Sequence, residues 1–294
     1  MNSFSITIYR IIVPKPLRTL ILKKRLRKNI IDHFSSLPAE QVNDEEKEIL
    51  EYLKNNPVSI FPYPFSSAYS PRKTVLHYDG INRMHYVIHD GNRLYFRRGW
   101  SSKRILRYYT DICREQDPRS PHRYLSPDFS PGDNDTVVDI GAAEGNFSLS
   151  VVGTVKKVYL VESDRRWIRA LEATFSPWKE KVEIIDRYVS DRDAINEITL
   201  DTLIEQDPSV SFVKIDVDGY ERKVLGGLNK TLAKPYHIKI ALCTYHGHDD
   251  EKDFTGLLER RGFSVEPSAG YMIHYYDKKL RKPWLRKGLL RAVR

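Results

Sequence analysis

The strongest constraint in the chain is the run Val137-Val138-Asp139-Ile140-Gly141-Ala142-Ala143-Glu144-Gly145-Asn146-Phe147. Val137, Val138 and Ile140 form a β-branched segment that is too short for a helix and bounded by turn residues, so it reads as a buried parallel strand. Gly141 and Gly145 lack a Cβ, which allows a sharp turn and a close approach of a ligand to the backbone. A helix beginning near Asn146 or Phe147 then aims its free N–H groups at the loop. Such a unit commits the chain to an open α/β sheet, whose ligands bind at the carboxyl ends of the strands, where Asp139 stands.

An acid at that point is a poor neighbour for a pyrophosphate and a good one for an ammonium group. The dinucleotide fingerprint, laid from Gly141, requires glycine at 143 and 146, where the chain has Ala143 and Asn146. The S-adenosylmethionine loop, acid-x-Gly-x-Gly-x-Gly, is met by Asp139, Gly141 and Gly145, with Ala143 as its one departure. A second apolar run, 158–162, ends in Glu162, a carboxylate able to take both ribose hydroxyls of an adenosyl group, although NAD enzymes use the same device. The expected cofactor is therefore S-adenosylmethionine, bound by Asp139, Gly141, Ala142, Ala143, Glu144, Gly145, Glu162 and Ser163, with Ser190 and Asp191 from the next strand end. The bland alternative is a strand–glycine–helix turn with no ligand.

Charge sharpens the division of the chain. Residues 1–35 and 277–294 each carry +7 of an overall +9, which leaves the 241 residues between them at −5. Basic character belongs to the ends, and this argues against a nucleic-acid enzyme, which places its cations around the cleft. The pattern predicts a helix at 17–34, with Lys23, Lys24, Arg25, Arg27 and Lys28 at its middle, which either lies on an anionic membrane or packs on the body with a solvated basic face. Two cysteines far apart, Cys113 and Cys243, point to a reducing compartment, and no apolar run is long enough to span a membrane. The start, 4–13, is too broken by Arg10 and the following prolines to read as a cleaved signal. The expected location is the cytoplasm, peripheral at the inner face of the membrane.

Four regions follow: a helical extension at 1–73, a β-hairpin and helix region at 74–130, a cofactor domain at 131–276 and a basic tail at 277–294. Hairpin signals stand at Asp79-Gly80 and Asp90-Gly91-Asn92, between short strands at 75–78, 84–89 and 93–96. From 135 onward strands and helices alternate, with strands at 136–140, 158–162, 182–185, 211–216, 237–244, 264–266 and 271–275. Their carboxyl ends line up Asp139, Glu162, Asp186 or Asp191, Asp216 and His246. A neutral His246 would take a proton from a hydroxyl as it is methylated, or merely cap the helix that follows. Asp216 would orient the acceptor or the methionine end of the cofactor. A divalent metal at Asp216 and Asp218 is possible but not favoured. The loop 115–124 and the residues 271–275 are candidates for stacking on a sugar.

The residues 138–147, Val161-Glu162, Leu200-Asp201-Thr202-Leu203 and Val213-Lys214-Ile215-Asp216-Val217-Asp218-Gly219-Tyr220-Glu221 occur in an order and spacing that resemble the FkbM methyltransferase family. The family pattern usually has D-x-E-G where this chain has Asp216-x-Asp218-Gly219, and Cys243-Thr244-Tyr245-His246 is similar to a branch with Y-H at the fifth strand. The resemblance covers about 93–276. It implies a Rossmann-like class I methyltransferase sheet, here with an N-terminal helical and β-hairpin extension. It also implies S-adenosylmethionine-dependent O-methylation of a hydroxyl on a sugar, glycan or polyketide; a sugar or glycan is the expected acceptor, and no nucleic acid. An RNA-modifying enzyme and a catalytically inactive binding module are the rivals.

Overall fold

The computed structural model describes residues 14–294, so the expectation for 4–13 lies outside the described residues. Helix α1 (Lys15–Ser35) and helix α2 (Asp44–Asn55) come first. Asn43 starts α2 with a reciprocal capping box to Glu46. Strands β1 (His77–Asp79), β2 (Met84–His89) and β3 (Asn92–Tyr95) make a small antiparallel sheet, and α3 (Ser102–Glu115) follows it. The β2–β3 turn carries positive φ at Asp90 and Gly91, as a two-residue hairpin requires.

The body alternates as expected: β4 (Thr136–Ile140), α4 (Asn146–Val151), β5 (Lys157–Val161), α5 (Arg165–Thr174), β6 (Val182–Ile185), β7 (Tyr188–Val189), β8 (Glu197–Ile198), α6 (Leu200–Gln206), β9 (Val210–Ile215), α7 (Glu221–Gly226), α8 (Asn229–Leu232), β10 (Lys239–Cys243), α9 (Asp250–Glu259), β11 (Ser264–Pro267) and β12 (Leu289–Val293). Seven of these strands form one sheet in the order β11-β12-β10-β9-β4-β5-β6, in which only β12 runs against its neighbours. This is the Rossmann-like class I methyltransferase sheet. Its central strands are apolar on both faces: Val137 and Phe212 face one core, and Val138, Ile140, Val213 and Ile215 face the other. Asp201, from the LDTL run, is buried and accepts the Lys230 and Thr231 backbone N–H groups at 2.8 and 2.7 Å, tying α6 to α8.

Two expectations are corrected. Residues 271–275 are not a strand: Met272, Ile273 and Tyr275 instead join Leu26, Ile30, Phe34, Ile49 and Leu53 of the N-terminal helices in a third core. Nor is 277–294 a free basic tail, because β12 is the reversed strand and pairs with β10 and β11 on its two sides. Three of its cations have structural work. Arg286 reaches Asp277 and the carbonyls of Tyr245 and His246, Lys287 pairs with Glu45 of α2, and Arg291 holds the carbonyls of Arg123 and Tyr124.

At the sheet's centre a buried ion pair fixes the loop after β4. Lys214 Nζ lies 3.0 Å from Asp139 Oδ1, both side chains being at most 5% exposed, and it donates to the Gly141 carbonyl at 2.8 Å. Burial opposes the ammonium, but Asp139 and Asp216 outweigh it and raise the Lys214 pKa. Gly141, at φ +75°, passes so close to β9 that a Cβ there would lie 2.1 Å from the Asp216 carbonyl oxygen.

Removing β12 by ending the chain before Leu289 should abolish cooperative unfolding, since β11 loses its strand partner and β10 one of its two; a truncated protein with a normal melting transition would overturn this placement. Lys214→Met alone should cost ~3–5 kcal/mol by leaving Asp139 buried and unpaired. The double variant Lys214→Met/Asp139→Asn should recover much of that loss in urea titrations.

Candidate functional site

A cleft of about 1010 Å³ opens at the carboxyl ends of β4, β5 and β9, beneath the β3–α3 region. Of the expected residues, Gly141, Ala143, Glu162, Ser163, Ser190 and Asp216 line it. Glu162 is held by the backbone: its carboxylate accepts from the N–H groups of Ala143 at 3.0 Å and of Ser163 and Asp164 at 2.8 Å. The donor at Ala143 is presented because that residue takes φ +48°, the left-handed conformation for which the loop pattern prefers glycine.

Other expected residues stand elsewhere. Asp139 does not reach the cleft; it is 1% exposed, and besides Lys214 it accepts from Ser148 Oγ at 2.7 Å. A carboxylate with no access to water takes the nearest cation, and here that is a lysine of the adjacent strand. Glu144 is also buried behind the loop, accepting from Tyr108 Oη, and burial pushes its carboxyl up. Ala142 and Gly145 shape the turn, Gly145 because a Cβ would lie 2.7 Å from the Phe175 ring. Asp186 turns outward to Arg165, and Asp191 lines a separate pocket of about 410 Å³ beside α7.

Asp216 lies at the centre of a polar wall. Tyr124 Oη donates to it at 2.7 Å and Tyr245 Oη at 3.2 Å, and His122 Nε2 lies 3.6 Å away. Burial alone would raise its pKa, but Lys214, His122, His246 and the Tyr124 hydroxyl outweigh this and hold it at about 2. His122, 2% exposed, is pushed down by burial to about 4 despite Asp216, and so is neutral at neutral pH. Neither Tyr124 nor Tyr245 was marked as a ligand of Asp216 by the sequence. His122 and Tyr124 belong to the loop 115–124, but they sit beneath the acid and do not form a stacking face. Tyr271 and Tyr275 are likewise taken up by the third core and its edge. The exposed aromatics of the cleft are Tyr188 and Tyr220, at 61% and 60%.

His246 is the main chemical correction. Its Nδ1 lies 2.8 Å from Glu221 Oε1 and its Nε2 3.5 Å from Asp218 Oδ1. Burial lowers its pKa, but the two carboxylates outweigh burial and push it up to about 10. The two carboxylates favour the imidazolium form, which has no lone pair free to accept a proton, and this weighs against the expected neutral base. Donor atoms of Asp216, Glu221 and His246 lie within 4.8 Å of one another, as do those of His122, Asp216 and Cys243. A metal in the first trio would have to displace the proton that already balances its charge.

Around the cleft, seven carboxylates (Asp111, Glu115, Glu162, Asp164, Glu197, Asp216, Asp218) stand against Arg97, Arg187 and Lys223. Glu115 is pushed up by burial and by the neighbouring acids. Asp111, Asp164, Glu197 and Asp218 are paired with Arg114, with Arg97 and Arg166, with Arg192 and with His246, and Lys214 faces Asp216, which leaves Glu162 as the ionised cleft acid without an ion pair among the described residues.

No curated protein sequence matches the chain. Among solved structures it is similar to the methyltransferase FkbM from Methylobacillus flagellatus KT, with 18% identity, a TM-score of 0.45, and coverage of 65% of this chain and 53% of that one. The chain thus spans about half the length of that structure. It is also similar to M. jannaschii TYW2 in complex with AdoMet (17% identity, TM-score 0.37, 75% and 85% covered). A third likeness is to SMU.1697c, a putative methyltransferase from Streptococcus mutans in complex with SAH (13%, 0.37, 56% and 89%). The model for the methyltransferase FkbM domain matches residues 115–270, from the end of α3 through the cleft to the far edge of the sheet. That match takes in more than half of the chain and every strand end that carries the cleft's acids, and on it the chain belongs to the FkbM methyltransferase family.

Proposed function

We propose that the cleft binds S-adenosylmethionine and that the chain methylates a hydroxyl oxygen of a sugar or glycan. The observation that carries the cofactor half is Glu162, an acid aimed by three backbone N–H groups into a cleft where carboxylates outnumber cations. Such an acid suits the ribose hydroxyls of an adenosyl group, and the acidic wall suits ammonium and sulfonium charge. Gly141 and Ala143 leave the loop backbone open to close approach, while Ser190 and Tyr188 border the far end of the cleft.

S-adenosylmethionine, when bound, supplies an electrophilic methyl group on sulfonium. The chain's own residues supply positioning. Asp216, anionic and fixed by two tyrosine hydroxyls, accepts a hydrogen bond from the acceptor hydroxyl and directs its oxygen. Neutral His122, buried 3.6 Å behind Asp216 and outside the cleft lining, holds that carboxylate in place, and the released proton leaves by way of Asp216 to the water of the open cleft. Imidazolium His246 positions the 216–221 turn through Glu221, whose carboxylate also accepts from the Val217 N–H at 3.1 Å. Support for a sugar comes from Tyr188 and Tyr220, whose rings offer an apolar face with a polar rim at the cleft.

Glu162→Ala should weaken S-adenosylmethionine binding by ~1.5–3 kcal/mol, measured by calorimetry. Wild type that binds NAD and not S-adenosylmethionine would end the methyltransferase reading of this cleft.

His246 sets a pH dependence of stability. Its proton is held to about pH 10 in the folded chain and is lost near ~6.5 in the unfolded one. The pair with Glu221 is therefore fully stabilising below ~6.5 and fades as pH rises towards 10. Urea titrations should show wild type losing several kcal/mol of its advantage over His246→Gln across that window. A constant difference, together with a turnover rise near ~6.5 that only wild type shows, would restore His246 as the base.

A further inference from the structure

The basic helix α1 and the basic segment after Tyr275 meet on one surface. Leu26, Ile30 and Phe34 of α1 pack into the third core with Tyr275 and Leu285. Lys23 Nζ sits 4.3 Å from the centre of the Tyr275 ring, and the His33 ring meets Trp284 edge-on at 5.9 Å. Around this contact Lys24, Arg25 and Lys28 of α1 are exposed, as are Lys278, Lys279 and Lys282 of the strap 274–286, where Arg281 pairs with Asp249 at 2.6 Å. The first two turns of α1 add a second feature: Leu17, Leu20, Ile21 and Leu22 are 45–48% exposed, and Tyr276 of the strap is 64% exposed.

We propose that this surface docks on an anionic lipid bilayer, with the aliphatic side chains entering the interface and the lysines and arginines meeting lipid phosphates. Charge complementarity selects the partner's sign, and aliphatic exposure selects its kind. A nucleic-acid surface reads phosphate with cations and bases with aromatic rings, and four aliphatic side chains serve neither purpose. The strap also borders the cleft. Arg286 Nη1 donates to the Tyr245 and His246 carbonyls at 2.8 and 3.0 Å, and His274 Nδ1 lies 3.4 Å from the Tyr245 carbonyl. Docking would bring the Asp216 side of the cleft beside the membrane. This proposal stands apart from the reading of the cofactor.

The test is co-sedimentation of the full chain with vesicles of phosphatidylcholine alone and of phosphatidylcholine mixed with phosphatidylglycerol, at low and high salt. Binding should require the anionic lipid and weaken with salt. Lys24→Glu/Arg25→Glu/Lys28→Glu should reduce partitioning ~100-fold or more. Leu17→Ser/Leu20→Ser/Ile21→Ser should also reduce it, while melting temperature and S-adenosylmethionine binding stay unchanged in both variants. Indifference of wild type to anionic vesicles at low salt would overturn the proposal. So would a serine variant that binds as wild type, because the surface would then be a polyanion site; single-stranded RNA retained equally by wild type and the serine variant is the signature of that outcome.

Discussion

The buried pair between Lys214 and Asp139 underlies the rest of the site. It joins the two central strands at the point where β4 ends, with both charges withdrawn from water. A pair so buried contributes little net stability over an apolar substitute, and its value lies in position. The ammonium holds the Gly141 carbonyl and faces Asp216 as well as Asp139, so one cation fixes the glycine loop and keeps a second carboxylate ionised at the cleft wall. With Lys214 in place, Asp139 is a structural anchor, and Asp216 alone of the two acids meets the ligand side. Glu162, from the next strand, then completes the loop by accepting the Ala143 N–H.

The fold was legible where local chemistry and global position agree. β-branched runs bounded by glycine and acid became β4, β5 and β9, and the Asp90-Gly91 signal became the β2–β3 turn. It was not legible at 289–293, where arginine and glycine around Leu289 and Leu290 mask a strand that the sheet needs as its reversed member. Nothing local tells that Arg291 is occupied with the carbonyls of 123 and 124. The error at 271–275 is the converse: an aromatic run with strand propensity is claimed by helices more than 200 residues earlier in the chain.

The site divides along the same line. Acids at strand ends were readable as a set, because a doubly wound sheet brings those ends together. Which of them faces ligand was not readable, since that depends on cations supplied across the sheet. Lys214 was visible as a charge inside an apolar strand, the one signal that could have reassigned Asp139. His246 shows the same limit. Its position beside the cleft follows from the strand order, but its protonation follows from Glu221 and Asp218, which approach it from the turn after β9. A histidine between two carboxylates is a cation before it is a base.

Sorting charge this way gives the molecule two faces of opposite character. The cleft gathers carboxylates, of which Glu162 is held by backbone N–H groups and Asp216 is kept ionised by Lys214 and its hydrogen-bond partners. Lys24, Arg25 and Lys28 of α1 and Lys278, Lys279 and Lys282 of the strap stand exposed outside the cleft lining, where they do not compete with the cleft for its ligand. Arg286 and Lys287, which lie between the two, are neutralised by Asp277 and Glu45. The basic pI of about 9.3 therefore describes a surface beside the reaction centre, and the centre itself is acidic. A chain built so can attract a cationic small molecule into its cleft and an anionic surface to its flank at once, because each field is screened from the other within about a Debye length.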